Sequence, residues 1–290
     1  MQIKDIFNPI LLVIILIPHT SIAMEQFPLQ SNTGDATFFP VSELSQATSG
    51  FTLVGGKIAD VSQWQASFYT FNDQGGRCTS TLIGPNALLT AAHCVGNGRT
   101  VTIKYSLENK KFSGTCTHAP GYPEDKSADY ALCLMKVTTD TASIPSSPIP
   151  VPYHERLSFN PVNVGQNVLL AGYGCTNPNI TGGNDGKFRI GFAPVNTLPN
   201  DTDNYFTTQS NTFICPGDSG GAAYTGEIRG TRSIVGLNSQ VSCKTNNCSE
   251  IGNTSFISAT FTQLPIRFFC TWSNQYNQNI KGLNQEICAQ

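Results

Sequence analysis

A serine enclosed by glycines is the most informative chemical feature of the sequence. It lies in the stretch Gly217-Asp218-Ser219-Gly220-Gly221. Glycines permit a tight loop in which successive backbone N–H groups converge on one point, and such groups can stabilise an oxyanion. A serine hydroxyl becomes an effective nucleophile only when a base removes its proton. The stretch therefore predicts a nucleophilic Ser219 and requires a base from elsewhere in the chain.

Three histidines can supply that base once the N-terminal segment with His19 is set aside. His93 ends an apolar run in Thr90-Ala91-Ala92-His93-Cys94, where the adjacent cysteine can hold it in one orientation. His118 and His154 lie in proline-flanked sequence typical of surface turns. His93 is the candidate base, and a structural role is the alternative for it.

A carboxylate is needed to hold the imidazole in the correct tautomer. Asp129 directly precedes the apolar run Tyr130-Ala131-Leu132-Cys133-Leu134-Met135 and so marks the entry to a buried strand. Asp125 and Asp140, in contrast, have polar neighbours. Asp129 is therefore the candidate, and the alternative role for it is that of a turn residue at the start of a strand.

The chain that must position these residues has 290 residues, with 17 Lys and Arg against 19 Asp and Glu, and only 12% are charged. This balance offers no basic surface for nucleic acid, and the apolar content excludes intrinsic disorder. From Leu53 onward, short apolar runs alternate with turn signals, which predicts an all-β protein. A proline-rich passage between residues 145 and 161 separates two halves, at about 53–145 and 162–270.

The N-terminal residues predict a signal peptide. Lys4 precedes an apolar run from Ile10 to Ile17, shorter than the roughly 20 residues that span a bilayer, and Ser21-Ile22-Ala23 suits signal peptidase. We expect removal of residues 1–23 and secretion, with no attachment to a membrane; an N-terminal anchor is the alternative. Residues 24–52 show no useful periodicity and are interpreted as a propeptide.

All ten cysteines follow this segment, and an even number in an oxidising compartment predicts disulfides. A zinc site would depend on Cys243 and Cys248. No matching second pair or nearby histidine accompanies them, so we expect neither a metal nor a cofactor.

Over residues 53–265 the sequence resembles the chymotrypsin-like (trypsin-fold, S1) serine peptidases. Four motifs occur in the family's order: Leu53-Val54-Gly55-Gly56, Thr90-Ala91-Ala92-His93-Cys94, Asp129-Tyr130-Ala131-Leu132 and Gly217-Asp218-Ser219-Gly220-Gly221. In addition, Gly172-Tyr173-Gly174 is similar to the family's Gly-Trp-Gly turn. The family's triad also runs in the order His, Asp, Ser. The resemblance implies two antiparallel six-stranded β-barrels with the active site between them, in a peptidase domain at 53–270.

The resemblance implies a role for each candidate residue. Ser219 would attack the scissile carbonyl, His93 would take and return the proton, and Asp129 would hold the imidazolium. The backbone N–H groups of Gly217 and Ser219 would form the oxyanion hole. The expected protein is a monomeric endopeptidase that acts on proteins or peptides, with a protein inhibitor and an activating protease as further partners.

Activation by cleavage is also implied by the resemblance. A new amine at Leu53 would pair with the Asp218 carboxylate and organise the loop around Ser219. The sequence departs from the family here, because Leu53 stands where Ile or Val is usual and no Lys or Arg lies between Lys4 and Lys57. Either a protease of other specificity activates the chain, or the mature N terminus differs.

The substrate pocket is assigned by the same resemblance. Phe213 and Ile214 take the position of the pocket floor, where trypsins carry an aspartate, which disfavours cleavage after Lys or Arg. Gly236-Leu237-Asn238 is aligned with the family's Ser-Trp-Gly strand, which places Asn238 at the pocket mouth. These residues predict a shallow pocket for small uncharged side chains such as Ala or Val.

Two disulfides follow from the resemblance, Cys78–Cys94 and Cys215–Cys243. The remaining cysteines are paired as Cys116–Cys133, Cys175–Cys248 and Cys270–Cys288. Pro265 interrupts the region where the family has a C-terminal helix. Residues 271–290 have no counterpart in the family and are expected to form a solvated tail that is held at Cys288.

Two alternatives fit the same sequence. One is a catalytically silent family member that acts as a secreted binding protein, and the other is a disulfide-rich structural or adhesion domain. All three residues of the triad are present, which favours the enzyme.

Overall fold

The structure, a computed structural model, describes residues 36–40, 53–72, 76–105, 110–137, 149, 151–175, 186–228, 231–243 and 253–289. The predicted signal peptide lies outside these residues. Within them, nearly all regular structure is β-strand, and the strands form two barrels.

The N-terminal half supplies eight strands. In chain order they are β1 (Ala36–Pro40), β2 (Lys57–Ile58), β3 (Ser67–Asn72), β4 (Arg77–Gly84), β5 (Ala87–Thr90), β6 (Thr100–Tyr105), β7 (Lys110–His118) and β8 (Ala131–Val137). All except β2 form the first barrel, which closes in the order β1-β3-β4-β5-β8-β7-β6. Neighbouring strands are antiparallel except for β1 and β6, which are parallel.

The C-terminal half supplies the second barrel. Its strands are β9 (Asn167–Gly172), β10 (Arg189–Thr197), β11 (Tyr205–Gln209), β12 (Ala222–Thr225), β13 (Ser233–Ser242) and β14 (Thr254–Ala259). They pair in the order β11-β14-β13-β12-β9-β10, and pairing of β10 with β11 closes the ring. The short β2 adds to β10, with Ile58 opposite Arg189.

The prediction of an all-β fold with two barrels is confirmed, with one strand more than expected in the first barrel. The additional strand is β1, which lies in the segment interpreted as a propeptide. It occupies a place between β3 and β6. Its Ala36 and Phe38 side chains are buried among the apolar residues of the first barrel.

Three apolar clusters hold the two barrels and the layer between them. Because strand side chains alternate between faces, β4 and β5 contribute to two clusters at once. Leu82 and Leu88 belong to the interior of the first barrel, whereas Ile83 and Leu89 belong to the layer between the barrels. The same layer contains Trp64. Every residue from Cys78 to Gly84 is consequently buried.

The connector between the barrels is fixed by a buried ion pair. Nε of Arg232 donates to both carboxylate oxygens of Glu155, at 3.0 and 3.1 Å. The guanidinium lies 3.7 Å from the centre of the Trp64 ring, close enough for a cation–π interaction. Residues 138–148 and 150 of the proline-rich passage lie outside the described residues.

The C-terminal residues form two helices rather than the expected solvated tail. Helix α1 (Gln263–Tyr276) places Phe269 and Trp272 in the layer between the barrels, and Ile280 follows them there. Pro265 lies in the first turn of α1, where a missing N–H breaks no helical hydrogen bond. Helix α2 (Gln285–Cys288) ends the described chain. No helix within the described residues is both long and apolar enough to cross a membrane.

The disulfide pairing differs from the expectation at one bridge. The structure joins Cys78 to Cys94, Cys116 to Cys133 and Cys270 to Cys288, all three of them pairs named above. Cys215, however, is joined to Cys175, so the expected Cys215–Cys243 and Cys175–Cys248 pairs are wrong. Cys243 is itself in a disulfide. Cys248 lies outside the described residues.

Candidate active site

His93 lies where the first barrel meets the second. Strand β5, buried along its whole length, leads into a short 3-10 turn at Ala92–Cys94 that carries the histidine. The Cys78–Cys94 disulfide ties this turn to β4. The His93 side chain keeps 12% of its surface exposed, so one edge of the ring can meet a substrate.

Asp129 holds the His93 ring from its buried side. Its Oδ2 accepts from Nδ1 of His93 at 2.7 Å, and its Oδ1 accepts from the backbone N–H of His93 at 3.0 Å. The hydroxyl of Ser239, on β13 of the second barrel, donates to Oδ2 at 2.6 Å. The aspartate immediately precedes Tyr130 and β8, so a rigid strand fixes its position.

The charges of this pair depend on each other. Burial favours the neutral form of His93, but the Asp129 carboxylate outweighs it and raises the pKa of His93 above its usual value. Burial would raise the pKa of Asp129, but His93 and the hydrogen bonds to the carboxylate lower it below its usual value. At neutral pH the arrangement therefore holds a carboxylate beside a basic imidazole.

Tyr205 contacts Ser239 and so supports the pair indirectly. Its phenol oxygen lies 3.0 Å from Oγ of Ser239, and it donates to the backbone oxygen of Lys126 at 2.5 Å. Tyr205 begins β11, so three strands of the second barrel region, β11, β13 and β14, support the position of Ser239. Neither Ser239 nor Tyr205 is predicted as a site residue from the sequence, because nothing in the local sequence marks them.

The loop that carries Ser219 is fastened to the first barrel. Thr79 on β4 donates its backbone N–H to the Ser219 oxygen at 2.7 Å and its hydroxyl to the Gly217 oxygen at 2.9 Å. Gly220 has φ of +76°, and a Cβ there would meet Oγ1 of Thr90 at 2.3 Å. Only glycine allows this approach, which brings Ser219 to the strand that leads to His93.

The Ser219 hydroxyl donates to the backbone oxygen of Ser239 at 3.4 Å. None of the hydrogen bonds among the described residues joins it to Nε2 of His93. Such bonds are often long in a free enzyme and shorten when a substrate binds. Ser239 thus contacts both the serine, through its backbone oxygen, and the aspartate, through its hydroxyl.

Gly217 and Ser219 are the expected oxyanion-hole residues. Gly217 has φ of +104°, a conformation that glycine adopts at little cost. Among the hydrogen bonds of the described residues, neither N–H donates to a protein acceptor. Both are therefore available to an external oxygen.

Asp218 is fully buried beneath the same loop. Its carboxylate accepts from the backbone N–H groups of Gly174 at 2.7 Å and Cys215 at 2.9 Å. A Cβ on Gly172 or Gly174 would lie 2.3 or 2.1 Å from a carboxylate oxygen, so both positions of the Gly-Tyr-Gly turn require glycine. Burial raises the pKa of Asp218 to about 7, although the two hydrogen bonds and the charge of Arg189 oppose it.

Leu53 is fully buried among the apolar residues of the second barrel. The next residue, Val54, pairs antiparallel with Phe213 and accepts its N–H at 3.2 Å. This bridge is isolated, and Leu53 itself has a left-handed φ of +48°. On the other side of the bridge, the chain leads from Phe213 to Cys215, whose N–H donates to Asp218.

The expected pocket residues separate into two groups. Phe213 and Ile214 are buried beside the Ser219 loop, with the N–H of Ile214 donating to Ser255 at 3.1 Å. Gly236 packs against Phe206 in the second barrel, and Leu237 lies in the layer between the barrels.

Asn238 does not lie at a pocket mouth. It is fully buried, and its amide donates to the backbone oxygens of Ala171 at 3.0 Å and Asp218 at 3.2 Å. A bulge in β13 between Asn238 and Gln240 changes the register at this point. Ser239, which lies within this bulge, accepts the hydroxyl of Ser219, so the residue of β13 that contacts the serine follows the predicted Gly236-Leu237-Asn238 segment.

A metal site is not supported at the triad. The group of potential ligands found within the described residues is Cys78, His93 and Cys94. Both sulfurs are in a disulfide, so neither is available as a thiolate ligand.

Comparison with known proteins agrees with this fold. A family model described as Trypsin matches residues 53–261, most of the chain. The chain therefore belongs to the trypsin family of serine peptidases. No curated protein matched the chain.

Proposed function

We propose that the protein is a serine endopeptidase that works through an acyl-enzyme. The observation that carries this proposal is the hydrogen-bonded pair of His93 and Asp129, with the Ser219 loop fastened beside it. Nε2 of His93 takes the proton of Ser219 as its Oγ attacks the scissile carbonyl, and then returns it to the leaving amine. Water, activated by the same nitrogen, hydrolyses the ester.

Gly217 and Ser219 stabilise the tetrahedral oxyanion with their free N–H groups. In comparable enzymes the loss of one such donor costs roughly 10²–10³ in rate. The carboxylate of Asp129 stabilises the imidazolium that forms in the same step. Its low pKa keeps it charged throughout.

Cleavage before Leu53 is proposed to activate the chain. The bridge of Val54 with Phe213 holds Leu53 next to the segment that leads to Asp218. Asp218 is buried, and its raised pKa marks a carboxylate whose charge is incompletely compensated in the uncleaved chain. An ammonium group beside it would lower that pKa and fix the loop that contains Gly217. The protease that makes this cut would not be tryptic, because Thr52 precedes Leu53.

A preference for small uncharged side chains at the cleaved position is proposed. Phe213 occupies the floor position as a buried apolar side chain, so a lysine or arginine would find no charge partner there. Gln240 and Val241, which follow Asn238 on β13, are partly exposed, and we propose them in its place as pocket residues. Efficient cleavage after arginine in a peptide library would contradict this preference.

Secretion as a monomer after removal of residues 1–23 is part of the proposal. It is supported by the disulfides, which form in oxidising compartments. The partners would be substrate proteins, an activating protease and a protein inhibitor, with no role for nucleic acid or membranes.

A second candidate is a silent family member that binds proteins. One observation favours it, the hydrogen bond of Ser219 to the oxygen of Ser239 instead of to His93. In a silent protein this bond would persist, whereas in an enzyme it is exchanged for the bond to His93 when substrate is bound.

A fluorophosphonate probe distinguishes the two candidates. The processed protein should be labelled, the Ser219→Ala variant should not, and His93→Ala should slow labelling by several orders of magnitude. His118→Ala is the matched control and should be labelled at the normal rate. Processed, folded protein that remains unlabelled would exclude the peptidase.

A further inference from the structure

A space one strand wide lies between β3 and β6 in the first barrel. Strand β1 fills it, with Ala36 to Pro40 in antiparallel register with Asn72 to Phe68 of β3. On its other edge, Ala36 to Phe38 are in parallel register with Val101 to Ile103 of β6. In the described sheet order β3 and β6 pair only through β1.

One aromatic side chain anchors the strand. Phe38 is fully buried, and it belongs to the same apolar cluster as Phe68 on β3 and Ile103 on β6. Ala36 is also buried, whereas Thr37 between them is partly exposed, as alternation along a strand requires. The site thus selects a strand with a large apolar side chain at one inward position.

We propose that residues 36–40 stay in this site after the chain is cut before Leu53, so that the processed protein consists of two chains. The inference rests on the proposed function for the place of the cut. No cysteine precedes Cys78, so no disulfide can hold the released segment. Main-chain pairing on both edges and the buried Phe38 hold it instead, in the manner of β-strand addition.

Loss of the strand would be unfavourable for the barrel as well. It would expose the edges of β3 and β6 and leave a cavity among Phe68 and Ile103. Residues 41–52 connect β1 to Leu53, so a cut at the end of this connection frees the Leu53 amine without displacing β1. Activation and closure of the first barrel are therefore independent events.

The test is made on the full secreted chain with Ser219→Ala, which prevents self-digestion. A recognition sequence for a site-specific protease is placed within residues 44–50, and the chain is cut and passed over a gel-filtration column. Mass spectrometry should find the short fragment with the long one at one to one. A short fragment that elutes alone, while the long one keeps its circular dichroism and melting temperature, would overturn the proposal.

A pair of variants tests the anchor. In the same cut protein, Phe38→Ala should weaken retention of the short fragment at least tenfold. Thr37→Ala, on the other face of the strand, should change it less than twofold. Equal retention in both variants would exclude Phe38 as the anchor.

Hydrogen exchange provides a second measurement that needs no variant. In the uncut chain, the amides of residues 37–39 should exchange as slowly as those of β3. Exchange of these amides at the rate of an unfolded peptide would also overturn the proposal.

The outcome is separable from that of the proposed function. Retention is measured by mass in a protein without the nucleophile, whereas activity is measured by probe labelling of the chain with Ser219 intact. If the strand is released from the Ser219→Ala chain while the chain with Ser219 is labelled, only the strand site is overturned. If the strand is retained while the chain with Ser219 is not labelled, only the peptidase is overturned.

Discussion

Two buried carboxylates lie on the two sides of the active site, and their surroundings differ. Asp129 is 1% exposed and Asp218 is fully buried. Asp129 faces the His93 ring, and its pKa is lowered. Asp218 is held mainly by neutral N–H groups, and its pKa is raised to about 7. Burial raises the pKa of both carboxyl groups, so the adjacent His93 imidazole is the main reason that the pKa of Asp129 is lowered and that of Asp218 is not.

The two sides of the site therefore differ in the uncleaved chain: the charge of Asp129 is compensated by its partners, whereas that of Asp218 is not. In the uncleaved chain the histidine and aspartate already have their partners, and both lie in the first barrel. The loop with Gly217 and Ser219 depends on a carboxylate whose ionised form is poorly compensated. Processing is therefore expected to change the Asp218 side and leave the Asp129 side as it is.

The largest effect is expected for Asp129→Asn in the processed protein. An asparagine removes the charge and favours the wrong tautomer of His93, so kcat should fall by roughly 10⁴. The measurement is steady-state hydrolysis of a peptide or ester substrate. Asp201→Asn, at an exposed position, is the control and should retain full activity. A loss below tenfold for Asp129→Asn would contradict the assigned role.

The next largest effect concerns the stability of the uncleaved chain. Between pH 3.8 and about 7 the unfolded chain has lost the Asp218 proton while the folded chain retains it. The free energy of unfolding therefore decreases as the pH rises through this range, and the decrease is complete above about 7. A shift of about three pKa units corresponds to about 4 kcal/mol.

Urea unfolding of the uncleaved chain at several pH values measures this decrease. The Asp218→Asn chain should lack it, so the difference between the two chains isolates the carboxyl group. In the processed protein the new amine should reduce it as well. Parallel pH profiles for the two uncleaved chains would show that Asp218 titrates normally.

A smaller effect is expected for Ser239→Ala. The Ser239 hydroxyl donates to the charged Asp129, and such bonds contribute about 1.5–3 kcal/mol. The value of kcat/KM should therefore fall roughly 10- to 100-fold. Ser239→Thr, which keeps a hydroxyl, should recover part of the loss. Unchanged kcat/KM in Ser239→Ala would mean that His93 alone holds Asp129.

The smallest effect is expected in the pH profile of kcat/KM, on the acid side where activity falls as His93 is protonated. His93 acts as a base only when neutral, and its pKa is raised, so activity should reach half its maximum above pH 6.5. The pKa of His118 is instead lowered, mainly by burial. His118→Gln should therefore leave this side of the profile unchanged. A midpoint below pH 6.5 in the unmodified protein would contradict the coupling of His93 to Asp129.

The local motifs predicted those parts of the site whose conformation depends on only a few consecutive residues. The turn with His93 follows a buried strand, Asp129 precedes one, and the glycines around Ser219 permit a tight loop. Each of these features is contained within a few residues. The alternation of strands and turns predicted an all-β protein, and the family resemblance carried by the motifs implied its two barrels.

Features that depend on pairing between residues far apart in the sequence could not be predicted from local motifs. Strand β1 has only five residues, and its place between β3 and β6 depends on the shape of the barrel. The bulge in β13 moved the active-site segment from Asn238 to Ser239. Cys215 could pair with several cysteines, and only the fold shows that Cys175 is its neighbour. Helix α1 differs from the expectation because Pro265 lies in its first turn, where a proline does not interrupt a helix.

The two tryptophans of the protein, Trp64 and Trp272, are both buried in the layer between the barrels. The indole of Trp64 lies under the Arg232 guanidinium, and that of Trp272 lies 5.1 Å from the Tyr276 ring. Neither lies inside a barrel. Intrinsic tryptophan fluorescence consequently reports on the docking of the barrels and the C-terminal helix, so barrel separation would shift the emission to longer wavelength before either barrel unfolds.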